Sequence, residues 1–263
     1  MYGYGYSLYN RLPFIGGESF NSEYQAILDK ATALGYTLPS DAVKLKQNTL
    51  LTSLKASGVW AKLDVFYVFA VDNNASAFAT LNWKNPNANQ STLVSSPTFV
   101  NNGGFQGNGT SSCINTNFNP ATQGVNYTLN DASRYFFSHA VGTGRFDGVD
   151  ATNSNSITRG NITSHRINSG TTGTLSGMFD YTTAVNTKSI HRTSSTSVTL
   201  YNSTTGSTFI QASTSVLSVN QFILKGFTTF GSHTCAAYAM GASLIAEHSA
   251  FIADWNTYKN SLW

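Results

Sequence analysis

The sequence predicts a mainly β protein: an antiparallel β sandwich with a helical hairpin on its N-terminal side and one helix on its C-terminal side. Three observations predict it. Short apolar runs recur along the chain, broken by Gly, Asn and Ser at the spacing of a sandwich or barrel. Helical periodicity is confined to residues 21–58 and to the stretch after Gly241. Charged residues make up only 10% of the 263, against 13% aromatic and 41% hydrophobic. An ordinary soluble domain is about 25% charged, so amides and hydroxyls must wet this surface. Disorder is excluded, because it requires low hydrophobicity and high net charge.

Residues 1–20 read as an extended arm carrying Tyr2, Tyr4, Tyr6 and Tyr9, with Gly3 and Gly5 between the first three. Glycine removes local stiffness and tyrosine offers amphipathic contact area. Two readings stand: an arm whose tyrosines make assembly contacts with a partner, or a terminus that frays or lies on its own domain. Ser22 and Gln25 give a capping-box pattern, and Tyr24, Ile27, Leu28, Ala31 and Leu34 follow at helical spacing to Gly35. Ser40 caps a second helix with Val43, Gln47, Leu50, Leu51 and Leu54 on one stripe. This hairpin is too small to bury both stripes alone, so it must pack on the β domain or on another subunit.

Leu63 to Val71 is apolar on both strand faces and must be covered on both, one of them by the helices. Further strands are expected at Ala77–Trp83, Tyr135–Val141, Ser156–Thr163, Thr174–Tyr181, Ser197–Tyr201, Thr208–Gln211, Phe222–Phe230 and Thr234–Met240. Between them lies Pro97 to Phe118, where Asn108-Gly109 suits a tight two-residue turn and predicts a β-hairpin. Ile114, Thr116 and Phe118 then face the core, with Ser111, Cys113, Asn115 and Asn117 on the wet face. After Gly241, the stripe Phe251, Ile252, Trp255, Tyr258 and Leu262 reads as a helix packed on the core, with Trp255 and Trp263 as anchors.

The run Phe105-Gln106-Gly107-Asn108-Gly109 followed by Ile114, the preceding Leu81-Asn82-Trp83-Lys84-Asn85-Pro86, and the closing order of Tyr238–Met240, Gly241 and a helix carry a resemblance. They resemble the laminin-G-like (concanavalin A-like) jelly roll, over roughly residue 60 to the end, as found in bacteriophage virion proteins that carry it behind a short helical N-terminus. The resemblance implies a division into an arm (1–20), a helical hairpin (21–58) and a jelly-roll sandwich with its C-terminal helix (59–263). It implies a non-enzymatic virion component: a spike, fibre or decoration protein located in the virion. Other virion proteins would be its partners, and it would form a homo-oligomer, with a trimer as one form. A lectin-like carbohydrate-binding module is the alternative, and a glycan-degrading enzyme the third reading.

Chemistry is sparse. Glycoside hydrolysis needs two carboxylates across the scissile bond, yet the acids between residues 60 and 240 are only Asp64, Asp72, Asp131, Asp147, Asp150 and Asp180. No Gly-x-Ser-x-Gly elbow supports a triad with His139, His165, His191 or His233. The pairs His165-Arg166 and His191-Arg192 read as solvated strand positions, with the lining of one polar face as the alternative. A net charge of +3 without a basic cluster gives no footprint for nucleic acid. The longest apolar run, Val65–Val71, falls far short of the ~20 residues of a membrane span, and no secretory signal opens the chain, so a soluble protein is expected. Cys113 and Cys235 are too few for a framework or a zinc site, which leaves a single disulfide or two free thiols as the readings, and the Asn-x-Ser/Thr triplets are what chance gives in such a composition.

The best ligand candidate is the stretch Gly144 to Asn153, where Arg145, Phe146, Asp147, Asp150 and Asn153 offer the residue types that bind a surface glycan. Asp147, Asp150 and Asn153 also suit calcium, but their spacing matches no calcium loop and an Asp/Gly-rich turn explains it equally. No metal or cofactor is assigned. Replacing Asp147 and Asp150 by alanine is expected to spare the fold.

Overall fold

The computed structural model describes residues 19–150, 157–158, 165–170 and 185–263. Helix α1 (Ser22–Ala33) starts one residue earlier than the capping-box pattern suggests, because Asn21, not Ser22, accepts from the Glu23 amide. Ser40 caps α2 (Asp41–Ala56) as expected, accepting from Val43 N. A single turn, α3 (Val59–Lys62), leads into β1 (Leu63–Val68). Where a strand is expected at 77–83, the chain instead makes the one-turn helix α4 (Ser76–Ala79) and a turn. Asn82 holds that turn, its Oδ1 accepting from both Phe66 N and Lys84 N.

Three short strands follow, β2 (Thr92–Val94), β3 (Thr98–Val100) and β4 (Gly104–Gln106), then β5 (Cys113–Asn115) and the turn α5 (Pro120–Gln123). The strands β6 (Ala132–Ala140), β7 (Arg145–Val149), β8 (Ile157–Thr158), β9 (Thr187–Arg192), β10 (Ser197–Asn202) and β11 (Thr205–Ile210) come next. The stretch 222–230 is broken into β12 (Gln221–Ile223), β13 (Lys225–Gly226) and β14 (Thr229–Phe230). Strand β15 (Thr234–Gly241) and helix α6 (His248–Ser261) complete the described elements. The strand expected at 174–181 lies outside the described residues.

All strand pairs are antiparallel, in two main sheets. The larger runs β11-β10-β9-β6-β15-β4-β3, with β1 also on β15; the smaller runs β2-β5-β12-β7-β8. One edge of β15 is shared: Thr234 and Cys235 pair with β4, while Ala237 to Gly241 pair with β1. At the changeover both Phe69 N and Ala70 N donate to Ala236 O at 2.8 Å. Gly104 makes the first of these pairings possible: its φ is +103°, and a Cβ there would sit 2.0 Å from Cys235 O.

The expected hairpin at Asn108-Gly109 is not one. Strands β4 and β5 belong to different sheets, and the turn carries the chain between them. Asn108 Oδ1 accepts from the amides of Thr110, Ser111 and Ser112, winding the loop into a tight corner instead of a two-residue link. The hairpin lies one turn earlier, between β3 and β4, with Asn102 at φ 60° in its turn. Ile114, Thr116 and Phe118 are buried as expected, but so is Cys113.

Side-chain alternation divides the larger sheet's faces. Tyr135 and Phe137 point to α6, where Phe251 lies 4.8 and 5.0 Å from their rings and Trp255 4.8 Å from Phe137. Arg134 and Phe136 point to the smaller sheet, where Phe146 lies 5.0 Å from Phe136. Strand β1 is therefore covered on both faces: Phe66 meets Phe251 and Trp83, while Tyr67 donates across the sandwich to Thr116 O at 2.8 Å. Helices α1 and α2 pack on the same core, with Tyr24 against Trp83 and Tyr24 Oη donating to Gln47 Oε1 at 2.6 Å. Trp255 is the expected anchor, but Trp263 is 74% exposed and rests on His139. Cys113 and Cys235 are free buried thiols, the former pushed up to about 11 by burial.

Candidate functional site

Only part of the stretch Gly144 to Asn153 keeps the expected character of a loop rim. Arg145 to Val149 form strand β7, with Phe146 and Asp147 fully buried. Asp147 Oδ2 accepts from Arg134 Nη1 at 2.9 Å and from Tyr238 Oη at 2.7 Å, and Arg134 Nη2 donates to Arg166 O at 2.7 Å. Arg134 is itself fully buried, so Asp147 is the counter-ion of a charge inside the sandwich and not a surface donor. Phe146 stacks on His233 at 3.9 Å. Asp150 is 57% exposed and pairs with Lys225 at 2.9 Å. Arg145 is half-buried, and Asn153 lies outside the described residues. The structure thus separates Phe146 and Asp147, which face the core, from Asp150 at the surface. Tyr2, Tyr4, Tyr6 and Tyr9 also lie outside the described residues.

The other described acids between residues 60 and 240 hold loops. Asp64 accepts from the amides of Val125, Asn126 and Tyr127, Asp72 from Ser40 N, and Asp131 from Ser243 N. Among the described residues no three His, Cys, Asp or Glu side chains gather as a metal site.

His165, His191 and Arg192 are buried, contrary to the solvated reading, while Arg166 is only partly buried. Arg192 Nε and Nη2 donate to Ile167 O, and its Nη1 to Gln211 O at 2.8 Å. His191 accepts from Leu244 N at Nδ1 and meets Ser189 Oγ at Nε2, 3.1 Å away. Because Nδ1 accepts, Nε2 carries the proton and donates to the serine, which leaves that hydroxyl without a base. His248 is arranged likewise: Nε2 donates to Ser203 O at 2.7 Å, and Nδ1 accepts from Tyr135 Oη at 2.9 Å. These contacts tie α6 to the larger sheet; sequence reasoning missed His248 because nothing marks it within a helix start.

Burial holds these imidazoles neutral. It lowers His165 to about 3, with the nearby Arg145 and Arg134 charges adding to the effect, and depresses His191 and His248 as well. A folded value below the ordinary one means that the unfolded chain binds protons first as pH falls. Stability is therefore complete above about pH 6.5 and is lost on acidification toward the folded values. Between about pH 7.5 and about pH 5.5 the expected loss is between about 1 and 2 kcal/mol for each histidine that stays neutral. Urea midpoints at the two pH values check this, and His191→Gln should flatten the slope; a pH-independent midpoint contradicts it.

One open depression of about 450 Å3 lies where the α1–α2 connection meets α4 and β2, lined by Tyr36, Ser76, Ala77, Thr80, Gln90, Ser91, Thr92 and Leu93. It carries no charged side chain. Gln90 Nε2 donates to Tyr36 Oη at 2.8 Å and to Thr80 Oγ1 at 2.9 Å. Nothing in the local sequence signals it, because its residues come from three separate segments.

No family model matches this chain, and no curated protein does. Among solved structures it is similar to domain 4 of an extracellular arabinanase from Geobacillus stearothermophilus, solved with arabinotriose. The TM-score is 0.41 at 13% identity, over 73% of this chain and 98% of that one. It is also similar to a Trypanosoma rangeli sialidase solved with sialic acid, at TM-score 0.41 and 10% identity, over 81% of this chain and 39% of that one. Likenesses this distant carry no information on ligand or activity.

Proposed function

We propose that this chain is a non-enzymatic structural component of a bacteriophage virion, a spike, fibre or decoration protein that assembles as a homo-oligomer. One observation carries the non-enzymatic part: each described acid between residues 60 and 240 is engaged in a loop contact, a buried ion pair or a surface pair. None is left to pair with a second carboxylate across a cleft, as glycoside hydrolysis requires. The virion assignment rests on the sequence resemblance of Phe105 to Ile114 and of the closing strand and helix.

Helices α1 and α2 belong to the core, so assembly contacts fall to residues 1–18. The test is to remove those residues alone. The shortened protein should fold with an unchanged urea midpoint yet be missing, by mass spectrometry, from purified particles that contain the full chain. Undiminished incorporation of the shortened form, or absence of the full chain from particles, overturns the reading.

A lectin-like role is the second reading. It is favoured by the uncharged depression beside Tyr36, since amides, hydroxyls and an aromatic edge are what neutral sugars engage.

A further inference from the structure

We propose that the depression beside Tyr36 is a binding site for a neutral saccharide. This deepens the adhesive reading just given and rests on it, and it moves the ligand away from Arg145–Asn153.

The volume of about 450 Å3 falls within the range of about 300–1,000 Å3 usual for ligand sites. Its floor is fixed in advance. Thr80, buried, donates from Oγ1 to Ala77 O at 2.7 Å, and both hydrogens of the Gln90 amide are spent on Thr80 Oγ1 and Tyr36 Oη. From below, Asn117 Nδ2 donates to Gln90 O at 2.7 Å and to Thr92 Oγ1 at 2.8 Å. The amide plane is therefore locked, with Gln90 Oε1 left as an acceptor and the Tyr36 hydroxyl, which accepts from Gln90, left with its proton to donate. An acceptor and a donor side by side match the two roles of a vicinal diol. Ser76 and Thr92 add hydroxyls, and Leu93 with the Tyr36 ring offers apolar surface for the C–H face of a pyranose.

The lining also selects against other ligands. With no cation in it, the site has nothing to balance a phosphate, a carboxylate or an acidic sugar, whose desolvation would go uncompensated. Each hydroxyl exchanges water bonds for protein bonds at a net gain of only about 1 kcal/mol. A single site should accordingly bind in the millimolar range, on the order of 4 kcal/mol, and many copies on one assembly would supply the avidity.

The experiment is saturation-transfer NMR on the full chain with maltotriose, cellotriose and chitotriose, and with sialyllactose as the charged comparison. At least one uncharged trisaccharide should give transfer that saturates in the millimolar range. Ala77→Arg, which fills the depression from an exposed rim position, should weaken it at least about tenfold, the equivalent of about 1.4 kcal/mol. Tyr36→Phe should weaken it less, with both variants keeping the parent urea midpoint. No transfer from any uncharged trisaccharide, a signal that survives Ala77→Arg, or preference for sialyllactose overturns the proposal. Incorporation of the Ala77→Arg protein into particles separates the two readings: normal incorporation with lost binding supports both, and absence of the wild-type chain from particles removes the virion reading alone.

Discussion

Replacing Asp147 by alanine is expected to destabilise the fold by about 3 to 5 kcal/mol, the usual cost of stranding one member of a buried ion pair. Arg134 would keep its charge between the sheets with only Arg166 O to receive it, and Tyr238 Oη would lose its acceptor. Urea unfolding of the single variant gives the number. The double variant Arg134→Met/Asp147→Leu should recover much of the loss, because removing both charges removes the desolvation cost of both. Asp150→Ala, which breaks only a surface pair, should cost less than about 1 kcal/mol. The two acids look interchangeable in sequence and are not. A loss below about 1 kcal/mol for Asp147→Ala would show that the pair is not held as described.

Phe251→Ala should cost a similar amount, about 3 to 5 kcal/mol. Its ring is in contact with Phe66, Tyr135 and Phe137, so it joins α6 to β1 and β6 at once. The cavity left opens under the helix, where the rigid sheet cannot collapse to fill it. Amide exchange distinguishes this from general loosening: α6 amides should lose protection before those of β6 and β15. Uniform loss of protection would mean that α6 and the sheet unfold as one unit.

Helices α1, α2 and α6 were legible because their apolar residues recur at helical spacing, and side-chain caps mark the starts of the first two, as at Ser40. The sandwich was legible in outline for the same kind of reason, since Tyr135 to Val141 and Thr234 to Met240 are apolar runs. Strand β9 was not. Its residues Thr187-Lys188-Ser189-Ile190-His191-Arg192 are almost wholly polar and yet all buried. Their burial depends on partners distant in sequence, such as Gln211 O and Ile167 O for Arg192 and Asn202 Oδ1 for Lys188. No local pattern announces such partners. The Gly144–Asn153 stretch was misread for a related reason: Asp and Gly in a row suggest a turn, and only the Arg134 guanidinium across the sandwich turns Asp147 into a core residue.

The position of β15 has a consequence for how the protein is made. β1, β4 and β6 have no direct pairing with one another; each is joined to the larger sheet's centre through β15, and α6 follows it. Such contacts span most of the chain, and closing long loops before any contact rewards them makes folding slow. A nascent chain that has reached only residue 233 holds β1 without its partner strand and β6 paired only with β9, a state prone to association with other unfinished chains. Synthesis of a short segment, Thr234 to Gly241, is thus the event that allows the larger sheet to close.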